Sequence, residues 1–140
     1  RELGGRPADR SLLTGGVADY EKMARQPSFA HGLERVIAGS ARHRIALMCS
    51  EQDPLECHRC LLVARRLAER GVAVGHIHAD GRIETQAEAE DRLLTATRRA
   101  GDDLFASRAE RLALAYREQA RRAAFREEQS AAAGHPIVAE

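Results

Sequence analysis

Between positions 49 and 59 the chain reads CSEQDPLECHR, which brings two thiols, an imidazole, a guanidinium and several carboxylates into one short stretch. Such a set supports thiol chemistry. Cys49 or Cys57 is the nucleophile once its pKa is lowered, because the thiolate is the reactive form. Glu51 or His58 would then carry the proton. Arg59 offers a bidentate grip on a phosphate or carboxylate. The candidate catalytic residues are therefore Cys49, Glu51, Cys57, His58 and Arg59. A weaker signal is the run LGGR at residues 3–6, where glycines let the backbone approach a ligand and Arg6 joins Arg59 as a candidate anion holder. An ordinary loop explains that run equally well.

Two other chemistries fit the same residues. Cys57-His58-Arg59-Cys60 has the Cys-x-x-Cys spacing of a redox pair at a helix start. No thioredoxin-like strand order or proline loop accompanies it, and Cys60 falls in line with Ala64 and Leu67, which reads as core. Metal binding is the third reading. Cys49, Cys57 and His58, with His76 or His78, supply the donor types that zinc prefers. The spacing matches no standard finger, and adjacent Cys57 and His58 would point to different faces of a helix. The sequence therefore assigns no metal ligand and no resident cofactor, zinc being the metal to expect if one binds.

The elements that must position these groups follow from patterning. Residues 1–16 read as loop, and Val17 to Ala41 as helix divided at Pro27, with Tyr20, Met23 and Ala24 and then Leu33, Val36 and Ile37 facing inward. Arg44 to Cys49 is a continuous apolar run that suits a strand buried on both faces. Asp53-Pro54-Leu55-Glu56 is a strong helix start, with Asp53 as cap, Pro54 in the first position and Glu56 completing a capping box. That helix should continue through Leu62 and Leu67 to Gly71, and Val72 to His78 should be a second strand after a right-handed crossover. Further capping boxes at Thr85–Glu88 and Ser107–Glu110 start two helices, the first reaching about Ala100 and the second burying Leu112, Ala115, Tyr116 and Ala120. Arg117, Arg121 and Arg122 on that last helix, among Glu110, Glu118 and Glu127, read as a salt-bridged solvated face. The expected fold is α/β, a parallel strand–helix–strand core with flanking helices, forming one domain over 1–129 with a flexible tail at 130–140. Two strands are too few for a stable parallel sheet. The expectation is thus that N-terminal strands are missing or that another chain supplies them, which leaves a homo-oligomer open.

Composition narrows the classes. With 22 basic against 21 acidic residues, net charge nearly cancels, which argues against a general nucleic-acid or membrane surface. Three cysteines clustered within residues 49–60 are a poor disulfide framework and point to a reducing, cytoplasmic compartment. No apolar run approaches the roughly 18 residues of a membrane span.

The chain resembles the family catalogued as domain of unknown function 488, small soluble proteins found mainly in bacteria. The resemblance rests on LGGRP at 3–7, YEKM at 20–23, ALMCSEQDPLECHR at 46–59, GVAVGHIHADG at 71–81, DDLF at 102–105 and AYREQARRAAF at 115–125. The family hallmark Cys-x-Glu-x-x-Pro-x-x-Cys-His-Arg is matched by Cys49, Glu51, Pro54, Cys57, His58 and Arg59. It implies an α/β fold with an upstream strand-bearing segment that these 140 residues lack, and it names no reaction.

The reading reached is a thiol, Glu, His and Arg site at a strand-to-helix crevice, acting on or binding an anionic small molecule or a nucleotide or nucleic-acid phosphate. The alternative is a non-catalytic binding or regulatory module in which the same motif is structural or metal-binding.

Overall fold

The computed structural model describes residues 2–101 and 104–127. Near the N-terminus, β1 (Leu13–Thr14) and β2 (Val17–Ala18) form a small antiparallel hairpin. Gly15 and Gly16 turn it with φ of 59° and 76°, a backbone conformation that side chains with a Cβ resist. This hairpin replaces the expected loop and the expected helical start at Val17. The helix begins only at α1 (Tyr20–Ala24), because the Asp19 carboxylate caps it by accepting from the N–H groups of Glu21 and Lys22. Pro27 opens α2 (Pro27–Ser40), with Phe29 and Leu33 buried and Val36 and Ile37 packed against the core.

The parallel sheet does not form. Arg44 to Cys49 is neither helix nor strand, and its apolar side chains face outward, with Ile45 at 44%, Leu47 at 37% and Met48 at 90% exposure. A strand buried on both faces needs a neighbour to complete its ladder, and no described residue pairs with this run. Only the end of the second expected strand is regular. There β3 (Gly75–Ile77) pairs antiparallel with β4 (Ile83–Thr85), with His76 opposite Glu84. Among the described residues the architecture is mixed α/β with two antiparallel strand pairs. An apolar cleft of about 230 Å³ separates Ile45–Leu47 from Val72–Ile77.

The core is organised by one buried helix. Arg59–Ala64 is wound as a π-helix and continues as α3 (Arg65–Ala68). Cys60, Leu61, Leu62 and Val63 are each 1% exposed and Ala64 is 3% exposed, so this helix is enclosed on every side. Burying one such leucine or valine stabilises the fold by roughly 1.5–3 kcal/mol. Two further helices follow: α4 (Gln86–Ala96), which ends before the expected Ala100, packs on the Pro54–Glu56 turn and on α5 (Arg108–Ala123), and α5 packs against the buried helix. Two of the three expected capping boxes close, Thr85 with Glu88 and Ser107 with Glu110, whereas at Asp53 the cap accepts from Leu55 and Glu56 makes no return bond. Ala115 and Tyr116 are buried, and Leu112 and Ala120 pack against the same cluster. The predicted tail at 130–140 lies outside the described residues.

A charged network ties the β3–β4 hairpin and α4 to the Cys49–Arg59 segment. Arg92 of α4 donates to both oxygens of Asp53 and both oxygens of Glu84, each at 2.9 Å. His78 Nε2 also meets Glu84 Oε2 at 2.9 Å, and Glu84 is only 3% exposed. Arg92 first, and His78 after it, hold the Glu84 carboxyl below the usual range. Stability from this group is therefore present above the ordinary carboxylate pKa and lost as pH falls through the lowered value. Arg92→Ala leaves Glu84 buried with one partner fewer, and should cost about 2–3 kcal/mol at pH 7 in urea unfolding. The gap from wild type should narrow as pH falls below the ordinary Glu value of 4.5. A pH-independent gap would show that the pairing does not carry the effect.

Candidate functional site

The local fold of the motif begins with its cap. The Asp53 carboxylate accepts from the Leu55 N–H at 2.9 Å, Pro54 takes the first position, and Pro54–Glu56 forms a single 3-10 turn. That turn does not run on into the helix. Cys57 is extended, with φ −122° and ψ 136°, and His58 caps the helix that starts at Arg59. Cys57 therefore precedes the helix, which removes the reason for expecting Cys57 and His58 to diverge. Cys57 Sγ lies 4.0 Å from His58 Nδ1.

Cys49 and Glu51 come to the same place from the preceding loop. The Cys49 thiol donates to Glu51 Oε2 at 2.5 Å, and its sulfur is 3.3 Å from His58 Nδ1. One ligand atom from each of Cys49, Glu51, Cys57 and His58 lies within 4.8 Å of the other three. Cys57 is buried, Cys49 and His58 are half-buried, and Glu51 is exposed, so the cluster opens to solvent on its carboxylate side.

The two thiols are polarised in opposite directions. At Cys57 burial opposes the thiolate, but hydrogen bonding from His58, Arg59 and Cys49 outweighs it and brings the pKa down to about 7. At Cys49, burial and then the hydrogen bond to Glu51 push it up to about 11. Glu51 is held down at about 2, chiefly by the Cys49 thiol and then by the Ser50 hydroxyl at 2.8 Å. The thiolate is thus favoured at Cys57 over Cys49, with Glu51 held ionised on the far side of the Cys49 thiol.

Arg59 organises the cluster. Its backbone N–H and Nε donate to Cys57 Sγ at 3.4 and 3.2 Å, while Nη1 and Nη2 donate to the carbonyls of Leu47 and Glu51 at 3.0 and 3.1 Å. The guanidinium fastens the 47–51 loop to Cys57. Arg6, the other anion candidate, stacks on Phe125 at 4.3 Å from the ring centroid. His76 bonds to Gln86 and His78 to Glu84, so neither joins the metal-type cluster, and Glu51 stands in the position expected of them. Cys60 lies in the core, where burial pushes its pKa up to about 12.

Sequence reasoning missed one neighbour. Tyr20 is buried, and the charges of Cys57, Cys49 and Glu51 add to burial in raising its pKa, so its hydroxyl stays protonated beside the cluster. Helical spacing marked Tyr20 only as core, and its place in YEKM was the one further signal. The LGGR run also acquires a role. A Cβ on Gly5 would stand 2.6 Å from His58 Cγ, so glycine lets the N-terminal loop lie against the imidazole. Gly5→Ala should cost about 1–3 kcal/mol by overpacking. The cost should shrink in a His58→Ala background, where the clashing ring is gone. Additive losses in thermal melts of the double variant would separate Gly5 from His58.

No curated protein and no solved structure matches the chain. The family model described as "Domain of unknown function DUF488" matches residues 1–66. The similarities read at 71–81, 102–105 and 115–125 lie outside that match. All of Cys49, Glu51, Cys57, His58 and Arg59 lie inside it, and over this segment the chain is DUF488-like.

Proposed function

We propose that the chain binds a thiophilic divalent metal ion, zinc by the chemistry of its donors, through Cys49, Cys57, His58 and Glu51. The observation that carries this reading is the convergence of two sulfurs, an imidazole nitrogen and a carboxylate oxygen within 4.8 Å. Zinc bonds of about 2.0–2.3 Å in a tetrahedron set ligand atoms roughly 3.3–3.8 Å apart. The Cys49–His58 separation of 3.3 Å fits, the Cys57–His58 separation of 4.0 Å needs a small closure, and the 2.5 Å Cys49–Glu51 contact must open. The N–H groups of Arg59 aimed at Cys57 Sγ would orient and stabilise a ligating thiolate. Glu51, the exposed member, is the ligand that water or a substrate could replace, leaving its carboxylate to move a proton.

A second reading rests on the same donors at Cys57. With no ion bound, two N–H groups and the imidazole favour a thiolate there, making Cys57 the reactive group and Glu51 the proton carrier. Against it, Cys57 is 1% exposed, so an electrophile would reach it only after the 47–51 loop moved.

Elemental analysis of the purified protein separates the two. The metal reading expects about one zinc per chain, retained through gel filtration and lowered several-fold in both Cys57→Ser and His58→Ala. Cobalt substituted for zinc should give sulfur-to-metal charge-transfer absorption that Cys57→Ser weakens. No retained metal, no cobalt band and rapid alkylation of Cys57 near neutral pH would replace this reading with the thiolate one.

A further inference from the structure

Against Leu61 and Arg65 of the buried helix lies a pocket of about 570 Å³, whose buried lining includes Tyr20, Leu61 and Tyr116. Its volume is within the roughly 300–1,000 Å³ of small-molecule sites. The rim is strongly one-signed: Lys22, Arg25, Arg65, Arg117, Arg121 and Arg126 against Asp19 and Glu21. In a chain whose net charge is only +1, that is a concentrated positive field.

Pairing sharpens the contrast. Glu21 is taken by Arg65 and Arg66 at 2.6 Å each. Asp19 is occupied by the Thr14 hydroxyl and the two N–H groups it caps. Lys22 donates to the carbonyls of Ser11 and Leu13 and is partly offset by the nearby Asp19 carboxylate, while Arg126 donates to the carbonyl of Arg121 and keeps its charge. Among the described residues, Arg25, Arg117 and Arg121 have no acidic partner. This corrects the expectation of a wholly salt-bridged face on the last helix. Glu118 reaches Arg122 and Arg99, and leaves Arg117 and Arg121 free. Other arginines also lack an acidic partner, but here Arg117 and Arg121, one turn apart on α5, meet Lys22 and Arg25 from the end of α1 across one concave site, which suits a compact polyanion.

We propose that this pocket binds a small molecule carrying two or three linked phosphates, held by Arg117, Arg121, Arg25 and Lys22, with any apolar portion resting on Tyr20 and Leu61. The site is distinct from the Cys49–Arg59 cluster and requires no particular occupant there. It also places the anion away from Arg59 and Arg6, whose side chains are engaged elsewhere.

Inorganic triphosphate is the probe, titrated calorimetrically into the full chain at low ionic strength. Wild type should bind it, and added salt should weaken the binding. Arg117→Ala with Arg121→Ala should weaken it by about tenfold or more, the loss of two charge-assisted contacts. Both arginines are exposed and without an acidic partner, so the double variant should keep its circular dichroism spectrum and melting temperature. Equal affinity in wild type and double variant would overturn the site, because the anion would then be held elsewhere. A wild-type protein that ignores triphosphate would overturn the proposal, whether or not it bound a single-stranded oligonucleotide.

Discussion

Enclosure of one helix governs the rest of this molecule. From Cys60 to Ala64 five consecutive residues lie out of water, so the segment has no solvated face and must be covered from every direction. Helices α1 and α5 and the Pro54–Glu56 turn supply that cover, with α4 packed on α5 and on the turn, all joined in a single apolar cluster that runs from Ala18 to Ala124. The same enclosure fixes where polar chemistry can occur. The helix carries no acceptor or charge along its buried stretch, and its polar groups lie at its start, where Cys57, His58 and Arg59 emerge, and at Arg65 and Arg66 beyond it. The π winding, seen in the Arg65 N–H reaching the Cys60 carbonyl, adds a residue to the turn that follows the motif.

Two arginines then hold what the helix leaves at its mouth. Arg59 fastens the 47–51 loop from within through two carbonyls and a sulfur. Arg92 fastens the other side by gripping Asp53, the cap on which the Pro54–Glu56 turn depends. Neither residue need touch a ligand to matter, because the cluster consists of groups from a loop, an extended residue and a helix cap that share no regular element. Gln119 of α5 adds a third tie, donating to the Leu55 carbonyl at 2.9 Å.

What the sequence revealed, and what it hid, divides along the range of the interactions. Thr85–Glu88 and Ser107–Glu110 were legible because a capping box is satisfied within four residues, and both close as read. Cys60 was legible as core because 3.6-residue spacing carries burial. The apolar run Ile45–Met48 was not, because composition says that a segment suits a two-sided strand and not that a partner lies beside it. Cys57 and His58 misled for a related reason: the cap, the proline and Glu56 announce a helix, yet the 3-10 turn closes on itself and leaves Cys57 extended. The grouping of Cys49, Glu51, Cys57 and His58 could be suspected from density alone. That Glu51 belongs with them, while His76 and His78 answer to Gln86 and Glu84, is a matter of tertiary placement. Pairing on α5 is hidden in the same way, since i to i+4 spacing offers Glu118 to more than one arginine.

Tyr20 gives the two polar regions a common wall. It lines the basic pocket, and its hydroxyl feels the charges of Cys57, Cys49 and Glu51. Charge placed in one region therefore acts across low-polarity protein on the other, where screening is weak. With Cys57 and Glu51 ionised, the Arg59 guanidinium offsets only part of the charge of the empty cluster, and the remainder would oppose an anion in the neighbouring pocket. A dication among the same ligands displaces the Cys49 proton, so it makes the cluster less negative by one charge and lessens that opposition without reversing its sign. By linkage, an anion bound first would favour the metal by the same factor. The sign of that coupling follows from charge alone and requires no movement of the backbone.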